Sequence, residues 1–326
     1  MKVLITTVPF GQVQSLPLDI LDSENIDYLI NPLNKKLTES ELFELVPEVD
    51  IIIAGTEIIS ERVMNNAKNL KFISRVGIGL DSVDLIAAQK KGIKVSYTPD
   101  APTSAVAELT IGLMLSLIRS VQLSNIRMHK GHWERFFGKR ISNCKIGIIG
   151  MGRIGSEVIK NLSGFKCETI LINDIVYIDK NELPGNVKLK SKEEIYKEAD
   201  IITLHVPLTS KTKDMIKEVH LKSMKSDAVI INTARGSIIN EDDLYKVMKS
   251  GHLGGAAIDV FNFEPYCGKL SELENLILTA HMGSMSKDCR AAMEIEATEE
   301  VVRFIKNQPL QGTVPNEEYI IQKEGL

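Results

Sequence analysis

A chain of 326 residues is longer than one ordinary core supports, which points to two domains. With 44% hydrophobic and 25% charged residues it has the composition of an average globular protein, not a disordered or fibrous one. A net charge of −4 gives no general reason to expect nucleic acid or an anionic membrane as partner, and neither is expected.

Apolar runs alternate with segments of helical period. Strands are expected at 2–6, 26–30, 50–54, 71–76 and 94–97, with amphipathic helices at 40–45, 60–67 and 82–91 between them. This is the βαβ rhythm of a mostly parallel sheet. The apolar start is too short to span a membrane and lacks a secretory cleavage pattern, so it reads as a first strand. A proline-rich break, Thr98-Pro-Asp-Ala-Pro-Thr103, leads into one long helix from about 104 to 127. Its stretch 105–118 is more apolar than a one-sided surface helix needs. That predicts burial in a subunit interface and a homodimer through the 104–127 region, with burial in its own domain as the alternative.

Residues 145–150 read K-I-G-I-I-G and run into Met151-Gly152-Arg153-Ile154-Gly155. A short strand thus empties into G-x-G-x-x-G at the start of a helix. Gly150 permits the tight turn, Gly152 lets backbone approach a pyrophosphate, and Gly155 lets the helix pack against its strand. The N–H groups at the helix start, around Arg153 and Ile154, then face the phosphates. A second strand at 168–173 ends at Asp174, about 20 residues past the last glycine, where a carboxylate meets a ribose 2′-OH. The predicted cofactor is NAD rather than NADP. Asp174 repels a 2′-phosphate, and Ile175-Val176 offers no arginine to attract one.

Further strands are expected at 201–206, 228–233, 255–259 and 276–279. Helices are expected at 191–198, with Ser191 and Glu194 as a capping box, and at 241–249, with Asn240 as N-cap and Gly251 closing it. A last helix covers 286–306. Cys144, Cys167, Cys267 and Cys289 show neither C-x-x-C nor metal-ligand spacing, so reduced thiols in a cytoplasmic protein without a metal are expected.

Hydride transfer to or from a hydroxy acid needs a cation for the carboxylate and carbonyl, a general acid/base near neutral pH, and a group that orients that base. In open α/β sheets such groups belong on loops beyond the carboxyl ends of strands. Arg235 follows the strand ending Asn232-Thr-Ala234, and its planar fork suits a carboxylate. Glu264 lies in Asp259-Val-Phe-Asn-Phe-Glu-Pro265, and His281 in Thr279-Ala-His-Met-Gly283. Singly, Arg235 reads equally as a surface ion-pairing residue, whereas Glu264 alone reads first as a solvated loop carboxylate and His281 alone first as a structural histidine. Together, each lies just beyond a different strand of the segment that holds the glycines. The other histidines have weaker claims: His129 and His132 in a helix tail and loop near Trp133, His220 in a polar helix, and His252 in a turn. His205 ends a strand before Pro207, where bordering the cofactor and a structural loop role are equally supported.

The chain resembles the D-isomer-specific 2-hydroxyacid dehydrogenase family from about residue 50 to 303. The matching motifs, in order, begin with Arg75-Val-Gly-Ile-Gly79-Leu-Asp-Ser-Val-Asp84, Ala107-Glu108, the glycine fingerprint with Asp174, and His205-Val-Pro207. They continue with Asn232-Thr-Ala-Arg-Gly236, Asp259-Val-Phe261 with Glu264-Pro265, and His281 with Gly283. The resemblance implies an α/β protein of two Rossmann-like or flavodoxin-like parallel-sheet domains. A discontinuous substrate domain (1–100 and 287–326) would be interrupted by an NAD-binding domain (101–286).

By the same resemblance, Arg235 binds the substrate carboxylate and carbonyl oxygen, His281 is the acid/base and Glu264 its partner. Backbone N–H groups around Val76 and Gly77 bind the substrate carboxylate. Asp174 holds the adenosine ribose, Asp259 fixes the nicotinamide carboxamide, and His205, Val206, Pro207, Thr233, Ala234 and Gly283 border the cofactor. The phosphoglycerate group is the best match around Arg75, which would then bind a phosphate with Lys90 or Lys91. Hydroxypyruvate, glyoxylate and D-lactate types remain open. Two departures are visible: Ala280 where the family commonly has proline, and Pro102 where phosphoglycerate-type members often have a polar residue. The rival of another class is an NAD(H)-sensing, corepressor-like binding protein.

Overall fold

The computed structural model describes residues 1–324. The chain opens with β1 (Lys2–Ile5), α1 (Leu16–Ser23), β2 (Asp27–Ile30), α2 (Glu39–Leu45), β3 (Ile51–Ala54), α3 (Glu61–Asn66), β4 (Phe72–Arg75), α4 (Leu85–Lys90) and β5 (Lys94–Tyr97). Two helices follow, α5 (Pro102–Ile118) and α6 (Val121–His129). Next come β6 (Lys145–Ile149), α7 (Arg153–Leu162), β7 (Thr169–Asn173), β8 (Val187–Leu189), α8 (Lys192–Glu198), β9 (Ile201–Leu204) and α9 (Glu218–Ser223). The series ends with β10 (Val229–Asn232), α10 (Glu241–Lys249), β11 (Gly255–Ile258), β12 (Leu276–Leu278), α11 (Lys287–Ile305) and α12 (Asn316–Glu324).

The chain forms two compact units, Met1–Pro102 with Ser284–Leu326, and Thr103–Gly283. The first holds a five-stranded sheet in the order β2-β1-β3-β4-β5, the second a seven-stranded sheet in the order β12-β11-β10-β9-β6-β7-β8. Every strand pairing is parallel. The orders are those of the two doubly wound types, flavodoxin-like and Rossmann-like. The near-continuous apolar strands explain this, since a parallel sheet covered by helices on both faces must be apolar on both. In β3, β9 and β10 every residue is buried.

Local chemistry sets the helix starts. Thr38 with Glu41, and Ser191 with Glu194, form capping boxes on α2 and α8, and the Asn240 side chain caps α10. The return segment rejoins the first unit by packing: Ser74 Oγ donates to the Ala297 carbonyl of α11 at 2.8 Å, and Phe72 stacks on Phe304.

The single long helix expected over 104–127 is corrected to two. Ser120 adopts a left-handed conformation (φ 50°), which breaks the i→i−4 ladder, and α5 and α6 meet at 64°. Among the described residues no single helix is long and apolar enough to cross a membrane, although this bent pair passes by length and composition. The apolarity of α5 is used in its own unit. Ala107, Ile111, Leu113, Met114 and Ile118 pack with Ile146, Ile148 and Ile231 on one face of the seven-stranded sheet.

Candidate active site

In the second unit the strand order reverses between β9 and β6, the position where doubly wound sheets take their ligands. The fingerprint glycines lie at the carboxyl end of β6, and each has a distinct physical reason. Gly150 has φ +97°, and a Cβ there would sit 2.3 Å from the His205 carbonyl oxygen. A Cβ on Gly155 would sit 2.1 Å from the Gly150 carbonyl, so only glycine lets α7 lie this close to β6. A Cβ on Gly152 would meet nothing within 4 Å. Gly152 therefore borders open space directly before α7, and no side chain caps that helix. An uncapped helix start behind a glycine that lets backbone be approached closely is what a pyrophosphate requires.

Asp174 stands just beyond β7 and ties the cradle together. One carboxylate oxygen accepts from the Met151 N–H at 2.6 Å, the other from the Val176 N–H at 2.9 Å. Ile175, Val176 and Tyr177 beside it are exposed and uncharged. The residues present thus fit a dinucleotide whose ribose carries a free 2′-hydroxyl. Val206 lies against Gly150, and the Pro207 carbonyl accepts from Thr212 Oγ1 at 2.6 Å. His205 ends β9 with Nε2 3.0 Å from Thr203 Oγ1, while its Nδ1 is buried without a hydrogen-bond partner among the described residues. Burial pushes this imidazole down to about 3 from the usual 6.5, so it is neutral at physiological pH.

Three neighbouring strands carry the chemistry. Arg235 follows β10 on a turn stapled by a buried asparagine. Asn232 Nδ2 donates to the Arg235 carbonyl at 2.8 Å, and its Oδ1 accepts from the Ala234 N–H at 3.1 Å. Thr233 is braced by Thr110 of α5, their hydroxyl oxygens 3.0 Å apart. A Cβ on Gly236 would lie 2.1 Å from the Phe261 carbonyl, so glycine is what lets the Arg235 turn touch the loop that carries Glu264. His281 Nδ1 is 3.0 Å from Glu264 Oε2 and 3.1 Å from Oε1. Its side chain is 37% exposed against 20% for Glu264, so the imidazole is the outer member of the pair.

The least visible contributor is Asp259, which is fully buried. Its carboxylate, expected to fix the nicotinamide carboxamide, holds the His281 loop in this structure. Oδ1 accepts from Thr279 Oγ1 (2.6 Å) and the Met282 N–H (2.7 Å), and Oδ2 from the Gly283 N–H (2.9 Å). The Asp259 backbone carbonyl also accepts from the His281 N–H at 2.8 Å. His281 itself takes a left-handed conformation, φ 52°. The stiffness that Ala280 does not supply thus comes from these bonds. Asn232 and Thr279 were missed as site residues; their only sequence signal is a polar residue at the end of an apolar strand.

In the first unit, the loop after β4 differs from expectation. The Val76 N–H continues the ladder to the Ala54 carbonyl at 2.9 Å, and the Gly77 N–H donates to Thr98 Oγ1 at 2.7 Å. Neither amide is available to a carboxylate. Among the described residues, the first N–H groups of this loop without a protein acceptor are those of Ile78 and Gly79, both half-buried. Arg75 is 6% exposed and its guanidinium bonds the Val76 carbonyl.

Comparison with known proteins agrees with this geometry. A family model described as "D-isomer specific 2-hydroxyacid dehydrogenase, NAD binding domain" matches residues 111–283. The hydroxypyruvate reductase of Thermotoga maritima is 35% identical over 298 residues, which cover 87% of this chain and 96% of that one. The D-3-phosphoglycerate dehydrogenase of Methanocaldococcus jannaschii is 36% identical over 283 residues, 85% of this chain but 54% of that one, so this chain spans about half its length. The crystal structure of the TT0316 protein of Thermus thermophilus superposes with a TM-score of 0.87 at 31% identity, covering 97% of this chain and all of the other. The chain is therefore an NAD-dependent oxidoreductase and belongs to the D-isomer-specific 2-hydroxyacid dehydrogenase family.

Proposed function

We propose that this protein reduces a short, unphosphorylated 2-keto acid to its D-2-hydroxy acid, and runs the reverse oxidation, with hydroxypyruvate and glyoxylate as the favoured keto acids. The observation that carries the chemistry is the His281–Glu264 pair at 3.0 Å beside the Arg235 turn. Glu264 accepts from Nδ1, which leaves Nε2 as the basic nitrogen of the neutral ring. In oxidation Nε2 takes the hydroxyl proton, and in reduction the protonated ring returns it to the forming alkoxide. Arg235 offers its guanidinium to the carbonyl oxygen, stabilising the charge that develops there. Bound NAD supplies the nicotinamide ring that accepts or returns the hydride. Asp259 and Asn232 act by holding the His281 and Arg235 loops in register.

The substrate size rests on the first unit. There the amides of Ile78 and Gly79 are the proposed contacts for the substrate carboxylate, replacing Val76 and Gly77. The burial of Arg75 counts against the phosphate contact that 3-phosphoglycerate would need. Support also comes from the hydroxypyruvate reductase relative, which this chain matches over 96% of its length. NADH oxidation across glyoxylate, hydroxypyruvate, pyruvate and 3-phosphohydroxypyruvate tests the reading. A kcat/KM highest for 3-phosphohydroxypyruvate overturns the size assignment, and no turnover on any of them overturns the enzyme reading.

A cytoplasmic homodimer is part of the same proposal. Its support is the run of exposed apolar side chains that follows α5 in sequence: Val121 and Met128 on α6, with Trp133 (77% exposed) and Phe137 (105%) on the segment after it. Exposed aromatic residues are enriched at protein contacts. Sedimentation at micromolar concentration reads the outcome directly, and a monomer there rules the dimer out.

A further inference from the structure

The loop 76–84 of the first unit is held at both ends from outside itself. At its start, Thr98 Oγ1 accepts from the Gly77 N–H at 2.7 Å, and Gly77 needs its φ of +135° to turn there. At its end Ile59 bridges the loop, its N–H donating to the Ser82 carbonyl at 2.8 Å and its carbonyl accepting from the Asp84 N–H at 3.0 Å, and a second support lies more than 230 positions away in sequence, on α12. Gln322 Nε2 donates to the Val83 carbonyl at 2.8 Å and to the Leu80 carbonyl at 3.2 Å, while its Oε1 accepts from the Leu85 N–H at 2.8 Å. One amide side chain thus satisfies three backbone groups at the turn into α4. Leu80 and Val83 are nearly fully buried, so without Gln322 the Val83 carbonyl would lose this partner in a place poorly served by water, while the Leu80 carbonyl would keep the Val83 N–H at 3.1 Å.

α12 itself is well anchored. Tyr319 packs on the apolar core of this unit, as does Val314 just before the helix. The chain leading to it pairs with β5, where the Tyr97 N–H donates to the Gly312 carbonyl at 2.9 Å. A Cβ on Gly312 would lie 2.3 Å from the Tyr97 carbonyl, which fixes this close approach. Gln322 therefore reaches the loop from a fixed base.

We propose that Gln322 is a positioning residue for substrate binding: through Leu80, Val83 and Leu85 it sets the direction in which the Ile78 and Gly79 N–H groups point. This rests on the assignment of those amides to the substrate carboxylate. Hydrogen bonds to a carboxylate tolerate displacements of only about 0.5 Å before they weaken, so a loop that keeps its Ile59 bridge but loses the Gln322 support between Leu80 and Leu85 loses affinity before it loses its fold.

The test is the Gln322→Met variant, which keeps volume and removes all three bonds, beside Gln322→Glu, which keeps the acceptor for Leu85 and sets a carboxylate against two carbonyls. The expected result in both is a KM for hydroxypyruvate and glyoxylate raised about three- to tenfold, with kcat and the Kd for NADH within about twofold of the parent. A purely structural role would lower Tm and leave KM in place, and that result overturns the proposal. Should the Met variant fail to fold, the Glu variant carries the same reading. Gly79→Pro, measured in parallel, deletes one of the two proposed carboxylate donors. If it raises KM and the Gln322 variants do not, the proposal fails and the carboxylate assignment stands. If Gly79→Pro leaves KM unchanged, the assignment itself fails, and the Gln322 proposal with it.

Discussion

His281 Nδ1 and Glu264 Oε2 are 3.0 Å apart although the residues follow different strands, β12 and β11, and sit 17 positions apart. The bond fixes the tautomer and aims the ring, and in the proposed mechanism the remaining nitrogen handles the proton. His281→Ala is expected to lower kcat by at least about 10²–10⁴-fold while NADH still binds, since the fingerprint is untouched. Glu264→Gln, whose amide oxygen still accepts from Nδ1, should lose less. Steady-state rates and a fluorescence titration with NADH measure both; near-normal turnover of the alanine variant would remove His281 from the mechanism.

Asp259 acts on the same imidazole without touching it. Its carboxylate accepts from one hydroxyl and two backbone N–H groups of residues 279–283. Asp259→Asn sets an amide N–H against one of those donors, so the loop should lose its register. The expected cost is about 1–3 kcal/mol of stability together with a fall in kcat. Urea unfolding and kcat at saturating NADH are the measurements. Full activity at reduced stability would show that loop position is not catalytically relevant.

The fingerprint glycines separate folding from binding. Gly155→Ala drives a Cβ to 2.1 Å from the Gly150 carbonyl and should destabilise the second unit. Gly152→Ala places its methyl in open space with an ordinary φ of −73°, so Tm should be nearly unchanged. That methyl occupies room the pyrophosphate needs, and NADH affinity should drop at least about tenfold, the order of one lost charge-assisted hydrogen bond. Thermal melts with and without NADH distinguish the two; equal losses of Tm would contradict the division of labour.

His205 gives a pH signature. Burial pushes it down to about 3 in the folded chain against 6.5 in the unfolded one. Between those values the unfolded chain binds the extra proton, so stability falls as pH drops through this window and is unaffected above about 6.5. His205→Gln removes the term. The parent should therefore lose more stability than the variant between pH 7.5 and pH 5 in urea unfolding, and parallel losses would mean that the ring is hydrated and titrates normally.

The elements that the sequence predicted well are those whose information is local. Apolar runs bounded by turn residues mark β3, β6 and β10, and capping residues mark the starts of α8 and α10. The three candidate catalytic positions were legible because doubly wound sheets display chemistry beyond strand ends, and strand ends can be read from hydrophobicity. Elements with weak local signals were not foreseen: the short helix α1, the three-residue edge strand β8, and α12. Nothing in the sequence around Ser120 marked its left-handed turn, and the apolar stretch reads as one helix across it.

What the amino-acid sequence determined by itself is the α/β class, the dinucleotide fingerprint and the Arg235, Glu264 and His281 set, all written in short-range patterns of apolar, glycine and charged residues. Only the tertiary structure decided which polar groups already have partners. It took Val76 and Gly77 out of the carboxylate site, buried Arg75, gave Asp259 to the His281 loop, and brought Gln322 across from the far end of the chain. The reason is that hydrogen-bond satisfaction is a property of residues brought together in space, and it leaves no trace in the order in which they are joined.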